Sequence, residues 1–136
     1  MLARTIRVPL LVAGVAFTFA LTRKWPTEQS VHVILGDAAP GAVELRIRYG
    51  EPAGGHDEWQ REATFHYARG QAPRIVSHEP RLVNGEYDVE IEINMATRTA
   101  HGDAVRTVTE TRRVRLGGGT ASIDVSQRAL EASVEP

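Results

Sequence analysis

The sequence predicts an all-β domain, a single antiparallel sandwich of about seven strands, preceded by an N-terminal hydrophobic helix. Three observations predict it. Apolar and polar side chains alternate with period two in segment after segment beyond Pro26. Clusters of glycine, proline, asparagine and aspartate punctuate those segments every ten residues or so. One uncharged run, Val8 to Thr22, has a different character from everything after it.

In chain order, that run is the first element. Arg4 and Arg7 precede it, and Arg23, Lys24 and Trp25 follow. Val8, Leu10, Leu11, Val12, Val15, Phe17, Phe19 and Leu21 leave no polar face, and Pro9 and Gly14 weaken any soluble helix. A secretory signal peptide carries an apolar stretch of ~7–15 residues behind a basic start, whereas a spanning helix wants ~20. The best cleavage site, Thr18-Phe19-Ala20, is only a partial match to A-x-A, and Arg23, Lys24 and Trp25 suit a membrane interface. Residues 1–25 are therefore expected to be an uncleaved membrane anchor, with a cleaved signal peptide as the alternative. The amino terminus, Arg4 and Arg7 outweigh Arg23 and Lys24, which places the start in the cytoplasm and the rest outside it, periplasmic or extracellular. Residues 26–30 read as a short tether, 31–126 as the sandwich domain, and 127–136 as a C-terminal tail that forms a loose helical turn or frays.

Five strands follow from strict alternation. Val31, Val33 and Leu35 share one face; so do Val43, Leu45, Ile47 and Tyr49, then Ala63, Phe65 and Tyr67. Tyr87, Val89, Ile91 and Ile93 stand opposite Glu86, Asp88, Glu90, Glu92 and Asn94, and Ala121, Ile123 and Val125 stand opposite Ser122 and Asp124. A sixth, Val105 to Leu116, is rich in threonine and valine, but its parity breaks near Glu110 and Arg112, the mark of a bulge or an edge. Arg74 to Ser77 is a weaker seventh. Gly36-Asp37, Pro40-Gly41, Gly50 to Gly55, Asn84-Gly85, Gly102-Asp103 and Gly117-Gly118-Gly119 supply the turns.

Two segments carry a resemblance. Leu82-Val83-Asn84-Gly85-Glu86-Tyr87-Asp88-Val89-Glu90-Ile91, followed by Arg113 through Val125, is similar to the carboxypeptidase-regulatory or transthyretin-like group of bacterial sandwich domains. The shared features are a Gly-x-Tyr turn opening a strand of alternating valine and isoleucine, and a last pair of strands joined by glycine and threonine. The resemblance implies an accessory module for adhesion, substrate presentation or assembly, without catalysis.

Composition bounds the function. Past residue 24 the chain keeps 12 of its 16 basic residues and all 17 acidic ones, a net charge of −5 that disfavours nucleic acid and anionic lipid as partners. There is no cysteine, so neither a disulfide nor a lipid-attachment cysteine assists, and the core alone must hold the domain. No nucleophile elbow, zinc-protease helix, phosphate loop or dinucleotide fingerprint occurs. Ser77-His78-Glu79 has triad residue types, but neighbours on an extended strand point to opposite faces. No catalytic group and no cofactor is expected.

Three features are candidates for binding. Glu86, Asp88, Glu90 and Glu92 form an acidic row that could attract calcium or a partner, although a solvated face offset by Arg106, Arg112, Arg113 or Arg115 on the next strand is the plainer reading. His32, His66 and His56 are weak candidates for a metal, without a visible third ligand. The loop with Gly54, Gly55 and His56, ending at Trp59, is the expected partner contact, Trp59 being either its anchor or a tryptophan at a sheet edge. Together these readings predict a membrane-tethered extracytoplasmic binding subunit with a protein partner in the envelope. The alternatives are a secreted domain binding carbohydrate or another small ligand, and a small metal-binding protein.

Overall fold

The alternation is realised as nine strands among the described residues of a computed structural model, which cover 27–52 and 58–134. The expected anchor, Gly54, Gly55 and His56 lie outside them. The strands are β1 (Thr27–Glu28), β2 (Ser30–Ile34), β3 (Ala42–Gly50), β4 (Trp59–His66), β5 (Ile75–His78), β6 (Arg81–Leu82), β7 (Gly85–Thr99), β8 (Gly102–Leu116) and β9 (Thr120–Asp124). A 3-10 helix, Gly36–Gly41, follows β2, and one α-helix, α1 (Ser126–Val134), follows β9. The class is all-β. No helix among the described residues is long and apolar enough to cross a membrane.

Four strands form the larger sheet in the order β4-β3-β7-β8, antiparallel throughout. A second sheet runs β5-β2-β9, and β1 pairs with β6. Contrary to the expectation of antiparallel pairing everywhere, β2 and β9 run parallel, from Ser30↔Thr120 to Ile34↔Asp124. Alternation records which side chains share a face but not which way a strand runs, and the chain between these two is long enough to return in either sense.

One buried cluster joins the two larger sheets. Val31, Val33, Val76 and Ile123 come from the smaller; Leu45, Ile47, Tyr49, Val89, Ile91 and Ile93 come from β3 and β7. The acidic alternates of β7 are left on the outside, as the period-two pattern requires.

Two expected boundaries move. The tether is already part of the fold, because Thr27 and Glu28 pair with Leu82 and Arg81. The tail is a packed helix with Ala129 and Ala132 buried and Leu130 against the core. Asp124 starts it: its Oδ1 accepts from the Ser126 amide at 2.9 Å and the Ser126 hydroxyl at 2.6 Å, an Asx turn that also holds the Asp124 carboxyl below the usual carboxylate range. In β8 the register against β7 is unbroken from Leu116 to Gly102, so the lost parity marks an edge strand and not a bulge.

Candidate functional site

The acidic alternates of β7 stand in register with arginines of the neighbouring strands. Register sets Arg46 beside Glu92 and Arg48 beside Glu90. Arg48 Nη2 lies 2.6 Å from Glu90 Oε1 and 3.5 Å from Glu92 Oε2. Arg46 reaches Glu92 and Glu62 at 3.6 Å each and Glu44 at 3.8 Å. Asp88 accepts from Arg113 Nε at 3.1 Å, and exposed Glu86 stands opposite Arg115. The acidic row is thus the middle of a mixed ladder, and three of its carboxylates, Asp88, Glu90 and Glu92, already have cations. Arg106 and Arg112 take no part, because they sit on the other face of β8. The arginines that matter most, Arg46 and Arg48, were legible only as the polar alternates of β3; the opposing Arg-x-Arg and Glu-x-Glu spacing was the available signal.

Trp59 opens β4, an edge strand, and lies half-buried against this face. It packs where Gly50 has no side chain: a Cβ there would come within 3.1 Å of Trp59 Cε3. The Arg48 guanidinium carbon stands 5.3 Å from its ring centroid, a cation–π contact. The register between β3 and β4 slips at Tyr49 and Gly50, which turns the tryptophan onto the ladder.

The histidines do not converge. His32 is on β2 and His66 on β4, in different sheets. His32 Nε2 is 3.5 Å from Ser30 Oγ, and exposed His66 is 3.2 Å from Glu44. Among the described residues no three His, Cys, Asp or Glu side chains form a group that could hold a metal ion. His78, set aside with its neighbours in the sequence, makes a contact the sequence did not suggest. Its Nδ1 shares a hydrogen bond with the Tyr49 hydroxyl at 2.9 Å, linking β5 to β3 across the core. Burial lowers its pKa from the ordinary value, partly offset by the Glu79 carboxylate, and burial pushes the Tyr49 hydroxyl above the usual phenol range.

Gln29 is the one buried polar side chain among the described residues, 1% exposed. Its amide nitrogen donates to Asn84 Oδ1 at 2.7 Å, Thr27 Oγ1 at 3.0 Å and the Leu82 carbonyl at 3.3 Å, and its oxygen accepts from the Gly118 amide at 2.7 Å. Gly118 reaches it with φ of +84°, a conformation that favours glycine. The first residues of the fold are therefore tied to the turns before β7 and β9.

No family model, curated protein or solved structure matches the chain.

Between the inner face of β8 and the exposed flank of α1 lies an open cleft of about 470 Å³, lined by Glu110, Arg112, Asp124, Ser126, Arg128 and Glu131. Inward-facing Glu110 is 13% exposed; its Oε1 accepts from Arg112 at 2.6 Å, while its buried Oε2 has no hydrogen-bond partner. Mixed charge at a sheet edge suits a polar or charged segment of another chain better than an apolar ligand.

Proposed function

We propose that this chain is a single-pass membrane protein whose β domain stands outside the cytoplasm and acts by binding, as a non-catalytic subunit of an envelope assembly. The observation that carries the reading is the closeness of the apolar segment to the fold. Pro26 alone separates Trp25 from β1, and Gln29 clamps the chain within the next few residues. A domain attached this tightly sits against the bilayer in a restricted orientation, which suits lateral contact with other membrane subunits. The small residues Ala13, Gly14 and Ala16 give the apolar segment a face where another helix can approach.

We read the two larger sheets as the layers of a sandwich, since one buried cluster joins them. The Tyr87 hydroxyl donates to the Val83 carbonyl four residues upstream, as in the tyrosine corner of immunoglobulin-like sandwiches. The same tyrosine belongs to the Gly-x-Tyr turn on which the transthyretin-like reading rests. The carbohydrate-binding alternative wants an exposed aromatic platform, and half-buried Trp59 under Arg48 is a poor one.

The test is a mild-detergent pull-down of the tagged full-length chain from native membranes, with intact mass measured on the recovered protein. An uncleaved chain bringing stoichiometric membrane subunits is the expected result. A mass lacking about the first 20 residues, as signal cleavage would leave it, with no companions, would overturn the reading in favour of a secreted domain.

A further inference from the structure

We infer that β8 is a pairing edge for a second copy of this chain, joined antiparallel about a two-fold axis at Val108. The inference concerns the described fold and stands apart from the membrane reading.

The strand is 15 residues long and lies at the edge of its sheet. Thr107, Thr109 and Thr111 are exposed, and Val105, 64% exposed, is one of two large apolar side chains left in the open among the described residues. An edge of this length is a template for another strand unless something blocks it, and inward-pointing charge is a recognised block. Glu110 is such a charge. Any strand laid beside it closes the cleft under α1 and removes Glu110 from what water it still meets, so the added strand is accepted only if it brings a donor to Oε2.

In a two-fold antiparallel pair, residues whose numbers are symmetric about the centre face each other on the same side of the sheet. Centring on Val108 sets Glu110 of each copy opposite Arg106 of the other on the inner face. It also sets Asp103 opposite Arg113 on the outer face, and nowhere sets like charges together. Neighbouring centres are worse: Thr109 puts Arg106 opposite Arg112, Glu110 or Arg112 as centre puts that charge opposite itself, Thr107 leaves Glu110 opposite Ala104, and Thr111 offers Glu110 only Arg112, an arginine already committed to Glu110 Oε1 of its own copy. The other edge of the sheet offers no such register. In β4, centring on Glu62 opposes two carboxylates, and centring on Ala63 sets Arg61 against Phe65. The Val108 register thus supplies the partner that Glu110 Oε2 lacks, from the chain's own sequence. Arg106 also donates to the Ala132 carbonyl at 3.2 Å, which holds its guanidinium on the inner face, at the flank of α1.

The chain has no cysteine, so a single introduced thiol reports the contact. In the full-length protein in mild detergent, Val108→Cys is expected to form a disulfide-linked dimer under gentle oxidation, because directly opposed Cα atoms lie ~4.5–5.5 Å apart, within disulfide reach. Val105→Cys and Thr111→Cys are each expected to form no disulfide alone and to cross-link when mixed. Glu110→Arg is expected to weaken the dimer about tenfold or more in analytical ultracentrifugation, with recovery in the double variant Glu110→Arg, Arg106→Glu. Folded Val108→Cys protein that remains monomeric would overturn the inference. So would cross-linking of Thr111→Cys alone, which belongs to another register, or capture of only foreign chains by the Val108 thiol. If the double variant unfolds, the mixed Val105→Cys and Thr111→Cys experiment decides.

Discussion

Strands β3 and β8 belong to one sheet and both carry arginines, two in β3 and four in β8, yet β3 spends its charges on its neighbours while Arg112 of β8 pairs within its own strand, with Glu110. In β3, Leu45, Ile47 and Tyr49 fill the core while Arg46 and Arg48 face acidic residues of β4 and β7. In β8, Val108 and Val114 only partly enter the core, and Arg106, Glu110 and Arg112 share their face. A central strand has neighbours on both sides, so its apolar face is fully buried and its arginines stand between opposite charges, even though Arg46 Nε and Arg48 Nε make no hydrogen bond. An edge strand has one neighbour, and whatever the missing side would have satisfied stays open. The difference marks where this fold is finished by itself and where it is open to another chain.

The largest effect that sharpens the contrast is in the core. Ile47→Ala removes a fully buried side chain and is expected to cost about 3 kcal/mol, while Val108→Ala, at the half-wet edge, costs about 1 kcal/mol. Thermal unfolding of the two full-length variants in the same detergent checks it. Equal losses would show that β8 is as firmly packed as β3 and erase the comparison.

How much of this was legible follows from the same contrast. The sequence predicted β3 and β7 because burial on one face forces strict alternation, and Leu45, Ile47 and Tyr49 obey it. It blurred β8 because an edge tolerates Glu110 and Arg112 at positions that a central strand reserves for apolar residues. The parallel sense of β2 against β9 left no mark, since side-chain parity is blind to direction. Gln29 was unreadable for another reason: a glutamine between Glu28 and Ser30 looks like part of a solvated tether, and its burial arises from turns more than fifty residues away. The ladder lay half open to reading; β7 announced its carboxylates, but the pairing with β3 rather than β8 needed the strand order.

The next effect tests the ladder. Arg48 is 23% exposed and holds Glu90, which is 15% exposed. Arg48→Ala strands that carboxylate and uncovers Trp59, with an expected loss of about 2 kcal/mol. Arg113→Ala breaks only the more exposed contact to Asp88 and is expected to stay within about 0.5 kcal/mol. Double-mutant cycles with Glu90→Ala and Asp88→Ala separate the pair energies from the cost of truncation. A larger coupling at Arg113 would mean that the edge, not the centre, organises the ladder.

The smallest expected effect is a pH slope confined to the β3 side. His78 is hydrogen-bonded to the Tyr49 hydroxyl across the core, and burial sets its folded pKa below the ordinary 6.5. The unfolded chain therefore binds the proton more readily, so the stabilisation is complete above about pH 6.5 and is lost as the pH falls toward the lowered folded value. The imidazolium that protonation creates sits against the rings of Tyr49 and Phe65, where burial disfavours it and the Glu79 carboxylate offsets only part of that. Unfolding midpoints at about pH 7.5 and pH 5.5 are expected to differ in the parent by more than in His78→Gln, which keeps an acceptor but does not titrate in this range. If the acid slope survives in His78→Gln, the titrating group lies elsewhere. The contact between β5 and β3 would then be insensitive to pH, and the interior of β3 would owe nothing to a neutral histidine.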